Sequence, residues 1–255
     1  MGTIGAMSRL RLFSLLAGGL LGCATAGDGG SNPDGRGGTI DAPGGTIDAP
    51  GGTIDAPGGT IDAAGGPIDA PAQQTITLQQ MTSTAIVAGS PSCNVTATGV
   101  TRENSYYRVF RLSDFGVIRP FTAQRVDFGV EEANSGVGTT QAVQVRLHTL
   151  NGALLTANLT PIAGQTVTVN DGTSVVLPVA LSPAPVIQPS ATLVVEVNVP
   201  DGMAAGNVFF IGSNATAETG PSYIKATACT VNEPATMASI NFPNAHVVLT
   251  VTGVF

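Results

Sequence analysis

The chain has 255 residues, of which 43% are hydrophobic and only 11% are charged, and its formal net charge is −7. Most of that charge belongs to residues 24–71, which carry −6, whereas residues 72–255 carry −3. A protein that binds nucleic acid needs a basic surface to neutralise phosphates, and no part of this chain supplies one. The composition therefore excludes nucleic acid from the expected partners.

The N-terminal segment has the pattern of an export signal. Arg9 and Arg11 form a positive region, and residues 12–21 form an apolar region that is too short to span a bilayer as a stable helix. The motif Leu-Leu-Gly-Cys at residues 20–23 resembles the bacterial lipobox, in which the cysteine is acylated on sulfur and becomes the new N-terminus. The resemblance implies a signal peptide over residues 1–23 and a lipid anchor at Cys23 that holds the protein at the outer membrane or the cell surface.

The same segment leaves two alternatives open. Met7 is a second candidate for the start of the chain, because no basic residue precedes it. Leu21 stands two residues before Cys23, where a lipobox usually has a small residue, and Ala24-Thr25-Ala26 fits the A-x-A pattern of ordinary signal peptidase. Cleavage after Ala26 would release a secreted protein, so both interpretations export the remainder of the chain.

A repetitive tether follows the signal. Residues 37–71 are five heptads in register, three of them Gly-Gly-Thr-Ile-Asp-Ala-Pro, and two glycines with usually one proline per repeat exclude a helix. A calcium-binding turn array is the functional alternative, but such arrays need a longer repeat with more than one ligand. We therefore predict that residues 24–71 are a disordered, solvated spacer, about 35–40 Å from end to end as a flexible coil.

From residue 72 onward, short alternating apolar runs separated by turn residues predict one all-β domain, residues 72–255. About eleven such strands, each with one apolar face, indicate a two-sheet antiparallel β-sandwich. Asn151-Gly152 and residues 170–172 carry hairpin-turn signals. The predicted strands are residues 75–78, 106–112, 125–131, 142–150, 154–159, 166–169, 174–179, 192–199, 208–211, 223–226 and 246–252.

Two of these strands have a clear division into faces. In the first, Val126, Phe128 and Val130 point one way, and Arg125, Asp127 and Glu131 point the other. In the second, Val143, Val145 and Leu147 alternate with Gln144, Arg146 and His148. We predict that the two strands pair as a hairpin, with Asp127 opposite Arg146 on the outer face, and that His148 is exposed to solvent.

Five segments of the β region carry a further signal: residues 104–110 (Asn-Ser-Tyr-Tyr-Arg-Val-Phe), 193–197 (Leu-Val-Val-Glu-Val), 200–202 (Pro-Asp-Gly), 209–214 (Phe-Phe-Ile-Gly-Ser-Asn) and 221–224 (Pro-Ser-Tyr-Ile). They resemble a jelly-roll-type module of secreted bacterial proteins, and the resemblance spans residues 90–255. It implies a jelly-roll-like sandwich, which often accompanies secreted hydrolases or surface proteins, and it implies no activity.

The cysteines predict one disulfide. With Cys23 used for lipid, Cys93 and Cys229 remain as a pair in a compartment that favours oxidation. The bridge would connect the beginning of the β domain with the strand at residues 223–226.

The sequence contains no convincing catalytic motif. Neither histidine lies at a metal-ligand spacing from Cys, Asp or Glu, so no metal or cofactor is expected. Ser222 and Lys225 match S-x-x-K, but on a strand positions i and i+3 face opposite sides. Acid pairs such as Asp127 with Glu131, which glycoside hydrolysis would need, are expected to be a charged sheet face.

The sequence therefore predicts a lipid-anchored surface protein that displays a binding or adhesion module and is not an enzyme. Its expected partners are the membrane, through the anchor, and a polysaccharide or another surface protein. A carbohydrate-binding module is the first alternative, with Tyr106 and Tyr107 as a ligand platform, although Trp, the best stacking residue, is absent. A domain accessory to a secreted hydrolase, or a glycan-active enzyme, is the second alternative.

Overall fold

A computed structural model describes residues 3–6 and 72–255, so the predictions for Cys23 and for residues 24–71 lie outside the described residues. The strands are β1 (Thr3–Ala6), β2 (Thr75–Leu78), β3 (Pro91–Asn94), β4 (Asn104–Arg111), β5 (Phe121–Asn134), β6 (Thr140–Leu150), β7 (Leu159–Asn170), β8 (Gly172–Ala180), β9 (Val186–Ile187), β10 (Thr192–Val199), β11 (Val208–Ile211), β12 (Ser213–Asn214), β13 (Tyr223–Ala226), β14 (Val231–Thr236), β15 (His246–Val247) and β16 (Leu249–Val254). Between the strands of residues 72–255 lie the 3₁₀ helices Leu112–Phe115, Thr156–Asn158, Thr227–Cys229 and Ala238–Ile240. Within the described residues, no helix is long and apolar enough to cross a membrane.

The strands form two six-stranded antiparallel sheets. Sheet 1 has the order β14-β13-β4-β10-β6-β7. Sheet 2 has the order β11-β5-β16-β2, and β8 and β9 also pair with β5. Two short pairs, β1 with β3 and β12 with β15, stand beside them. The predicted all-β antiparallel fold is confirmed.

One hydrophobic core joins the two sheets. The predicted inner residues of β5 and β6, such as Phe128 and Leu147, are fully buried in it, together with Phe110 of β4 and Val195 of β10. The division of both strands into faces is therefore correct. It follows from the two-residue period of a strand, which sends alternate side chains to opposite sides.

The predicted pairing of these two strands is wrong. Residues of β5 pair with β16 and β8, so that Asp127 lies beside Thr250 and Pro178. The neighbours of Arg146 on β6 are Glu196 and Gly164. Asp127 and Arg146 are thus in different sheets, because alternation of side chains fixes which face is buried but not which strand is the neighbour.

Two of the places where the chain crosses between the sheets are held together by a hydrogen-bonded contact. Residues 135–139 lead from β5 in sheet 2 to β6 in sheet 1, and Asp171 alone connects β7 with β8. Asp171 Oδ1 accepts hydrogen bonds from the backbone N of Ser135 at 2.8 Å and from its Oγ at 2.7 Å. The turn predicted at residues 170–172 is therefore a crossover between sheets and not a hairpin.

Other details of the strand prediction also differ from the structure. Residues 151–158 are an eight-residue connection between β6 and β7 that contains the 3₁₀ helix Thr156–Asn158, so the strand predicted at 154–159 is wrong. Strands β3 and β14 were missed because both contain proline, which is depleted in strands.

The predicted disulfide between Cys93 and Cys229 is present, with a Cα–Cα distance of 5.9 Å. Cys93 lies on β3, and Cys229 ends the 3₁₀ helix that follows β13. The bridge therefore attaches β3 to the strand that lies beside β4 in sheet 1.

Candidate binding site on the outer face of sheet 1

Three central strands of sheet 1 place polar side chains on the face away from the core. Antiparallel register sets Glu196 of β10 beside Tyr107 of β4 and beside Arg146 of β6. One row further along, Asn198 lies between Ser105 and Gln144. Alternate residues of a strand share a face, so these side chains form neighbouring rows on one surface.

The carboxylate of Glu196 is the centre of this surface. Its Oε1 accepts hydrogen bonds from Ser105 Oγ at 2.7 Å and from Tyr107 OH at 3.3 Å. Arg146 Nη1 donates to the same oxygen at 3.3 Å, and His148 Nε2 lies 2.9 Å from Oε2. We call Ser105, Tyr107, Arg146, His148 and Glu196 the Glu196 cluster.

The cluster keeps its central acid ionised. Burial alone would raise the pKa of Glu196, but the hydrogen bonds from His148 and Ser105 and the charges of Arg146 and His148 outweigh it, so the pKa is lowered. Burial, together with the nearby charge of Glu196, raises the pKa of Tyr107, which remains a neutral donor. Because an ionised carboxylate only accepts, Nε2 of His148 is the donor in its contact with Glu196.

A groove opens beside the cluster. Its volume is about 250 Å³, and the cluster side chains line it together with Glu103, Thr156, Leu159, Pro161 and Lys225. A neighbouring cavity of about 350 Å³ shares Glu103, Ser105 and Lys225 with it. The groove therefore presents positive, negative and neutral hydrogen-bonding groups next to an apolar wall.

Accessibility differs sharply within the cluster. The Glu196 side chain is 6% exposed, whereas the Arg146 side chain is 39% exposed. Arg146 also donates to Gln144 Oε1 and, at 3.4 Å, to Asn198 Oδ1. Arg146 is thus held by three side chains of the sheet while more than a third of its own side chain stays exposed.

The structure separates the two tyrosines of the predicted ligand platform. Tyr106 lies on the inner face of β4, is fully buried, and donates its OH to the carbonyl of Pro91 at 3.0 Å. Tyr107 lies on the outer face and lines the groove. Adjacent residues of one strand point to opposite faces, so only Tyr107 is placed to contact a ligand there.

The exposure predicted for His148 is wrong, although its face is correct. The residue is only 7% exposed because the neighbouring strands and Glu196 cover it. Its Nδ1 is buried and has no hydrogen-bond partner within the protein. Native proteins retain few such atoms, which makes this position unusual for a purely structural residue.

The other candidate residues from the sequence do not form a second centre. Glu131 accepts the backbone N–H groups of Gly89 and Ser90 at 2.8 and 2.7 Å, and Asp127 pairs with Arg125 at 3.0 Å. Ser222 Oγ accepts the backbone N–H of Val247. Each of these side chains already has a hydrogen-bond or ion-pair partner in the fold. Within the described residues, no cluster of three or more His, Cys, Asp or Glu is placed to hold a metal ion.

Comparison with protein families, with curated proteins and with solved structures finds no match to this chain.

The sequence carried a signal for this site that the prediction did not use. Glu196 and Asn198 interrupt the apolar run Leu-Val-Val-Glu-Val-Asn-Val on β10, whose residues are otherwise nearly all buried. A carboxylate and an amide on a buried strand need partners. The partners themselves lie on strands 48 to 93 residues away, so only the fold brings them together.

Proposed function

We propose that the chain is an exported, lipid-anchored surface protein whose β-sandwich binds a small polar ligand in the groove beside the Glu196 cluster. The groove carries the proposal, because a concave surface with several converging polar groups beside an apolar wall can hold and orient a small ligand. The sequence at residues 20–23 supports the anchor. The disulfide supports export, because disulfides persist in oxidising compartments.

A carbohydrate is the ligand class that this groove suits best. Sugar hydroxyls both donate and accept, and the groove offers Arg146 and Lys225 as donors and Glu103 as an acceptor within one cavity. Leu159 and Pro161 provide an apolar wall against which the carbon face of a sugar ring could pack. The only aromatic residue in the groove, Tyr107, is 2% exposed, so affinity would depend on hydrogen bonds more than on stacking.

Binding fits the cluster better than catalysis. A glycosidase needs one carboxylic acid that is protonated at working pH, together with a second carboxylate. The donors around Glu196 lower its pKa instead of raising it. The other acid of the groove, Glu103, accepts a hydrogen bond from Asn198 at 3.1 Å.

A glycan array with the purified exported protein tests the binding role. Arg146→Gln should weaken binding at least about tenfold, because a charge-assisted hydrogen bond contributes about 1.5–3 kcal/mol. The matched control is Arg125→Gln, an arginine that also pairs with a carboxylate but lies in sheet 2 and is 50% exposed. Equal affinity in both variants, or no bound glycan at all, would contradict this site as a carbohydrate site. Release of shortened glycans would favour the hydrolase alternative.

Mass spectrometry of the mature N-terminus tests the anchor. We expect a chain that begins at Cys23 with the added mass of acyl groups. An unmodified chain that begins at Gly27 would contradict the anchor and leave a secreted protein. A chain that still begins at Met1 would contradict both forms of export.

A further inference from the structure

The strand β3 has an edge that is covered by β1. The two strands pair antiparallel, with Thr3 opposite Asn94 and Gly5 opposite Ser92. On the other side of β3, the backbone N of Cys93 donates to Asn104 Oδ1, and its carbonyl accepts the N–H of Arg102. Because backbone groups alternate between the two edges of a strand, those of Ser92 and Asn94 face β1.

The sequence of β1 recurs in the tether. The strand reads Thr-Ile-Gly-Ala, and Thr-Ile-Asp-Ala occurs at residues 39–42, 46–49, 53–56 and 60–63. In every case a glycine precedes the threonine, and only the third position differs from β1. The chain therefore contains four further segments with the sequence character of the strand that β3 already accepts.

The fifth heptad differs from the other four at the threonine position. It reads Pro-Ile-Asp-Ala at residues 67–70, so that proline stands where the others have threonine. The position equivalent to Thr3 faces Asn94, and because the backbone groups of Asn94 point towards β1, we expect this pair to exchange two backbone hydrogen bonds. Proline has no N–H to donate, so the fifth heptad lacks one of these bonds.

We propose that the edge of β3 is an acceptor for Thr-Ile-x-Ala strands, and that one of the four Thr-Ile-Asp-Ala segments of the same chain replaces β1 when the N-terminal segment is removed. The removal rests on the export proposed above. Without a replacement, the backbone groups of Ser92 and Asn94 would form an open edge, which is a template for association with other chains. A docked repeat would pair with the edge of β3. It would also shorten the spacer predicted at residues 24–71, by an amount that depends on which repeat docks.

Hydrogen exchange on the chain translated from Met7 tests the proposal. This chain lacks β1 and retains every repeat, whether or not it is processed at Cys23 or after Ala26. We expect the amides of Ser92 and Asn94 to be protected. Thr→Pro at positions 39, 46, 53 and 60, which copies the fifth heptad, should speed their exchange about tenfold or more. Thr→Ser at the same four positions keeps every N–H and should leave exchange unchanged.

The outcomes separate this inference from the proposed function. Unprotected amides in the chain from Met7, or equal exchange in the proline and serine variants, would overturn the inference whatever the mature N-terminus proves to be. Protection could instead rise with protein concentration, together with a dimer in sedimentation velocity. This result would mean that a second copy of the chain supplies the strand, and it would also overturn the proposal. Replacement of the repeat aspartates by glycine should strengthen protection, because Gly5 lies opposite Ser92, whose side chain is buried.

Discussion

The imidazole Nε2 of His148 on β6 lies 2.9 Å from Oε2 of Glu196 on the adjacent strand β10. The two residues are 48 positions apart in the chain. Their contact is buried, so water competes little for either partner. The pair therefore acts as the fixed base on which the more exposed Arg146 is oriented.

The first prediction concerns the pH dependence of stability. Glu196 has a lowered pKa in the folded protein, so its contribution is fully present above the ordinary Glu pKa of about 4.3 and is lost as pH falls towards the lowered value. Glu196→Gln should reduce the free energy of unfolding by about 2 kcal/mol at pH 7. The difference from the native protein should shrink below about pH 4. Urea unfolding at pH 7, 5 and 3.5 measures it.

The control for this prediction is Asp114→Asn. Asp114 is an exposed carboxylate in the first 3₁₀ helix and lies outside the Glu196 cluster. Its substitution should leave stability nearly unchanged at pH 7. If Glu196→Gln reduced the free energy of unfolding more at pH 3.5 than at pH 7, the lowered pKa assigned to Glu196 would be contradicted.

The second prediction concerns the disulfide. The bridge joins residues 136 positions apart. Closing so long a loop lowers the entropy of the unfolded chain, which stabilises the folded domain by about 5 kcal/mol. Replacement of both cysteines by alanine should remove much of the stability of the domain, since whole domains have about 5–15 kcal/mol. Thermal unfolding with and without reductant measures the effect. Identical unfolding midpoints for the oxidised protein and the double variant would contradict it.

The third prediction concerns Arg108, a fully buried residue on β4. Its guanidinium donates to Glu218 at 2.8 Å, to the carbonyl of Gly220 at 2.6 Å, and twice to the carbonyl of Val247. Arg108→Met should cost about 3–5 kcal/mol, because the substitution leaves these acceptors without a donor.

Arg111→Met is the matched control for Arg108. Arg111 ends the same strand and is exposed. Denaturant unfolding of both variants should show a large loss for Arg108→Met and a change within about 0.5 kcal/mol for Arg111→Met. Similar stabilities of the two variants would show that the buried contacts of Arg108 contribute little.

The fourth prediction concerns a close approach of backbones. A Cβ added at Gly212 would lie 2.7 Å from Cα of Gly129, and the N–H of Gly212 donates to the carbonyl of Gly129 at 2.7 Å. Gly212→Ala should destabilise the domain by about 1–3 kcal/mol because the two backbones must separate. Gly172→Ala places its Cβ in open space and should change stability by less than about 1 kcal/mol. Comparable unfolding midpoints of the two variants would count against the close approach.

Features that depend on local chemistry could be predicted from the residues alone. Alternation of side chains gave the inner faces of β5 and β6, because the period of a strand is a property of its own backbone. The pairing of Cys93 with Cys229 followed from the count of cysteines and the expected compartment, and the structure contains that bond. The all-β fold was indicated by short alternating apolar runs, by turn residues between them, and by the lack of apolar residues at helical spacing.

Which strands are neighbours could not be predicted in this way. Asp127 and Arg146 belong to different sheets because residues 135–139 cross from one sheet to the other, and no local pattern distinguishes a crossover from a hairpin. The Glu196 cluster likewise needs three strands that are distant in the chain, brought into register by the packing of both inner faces into one core. Local sequence fixes the face of a side chain, but its partners across the sheet depend on long-range pairing.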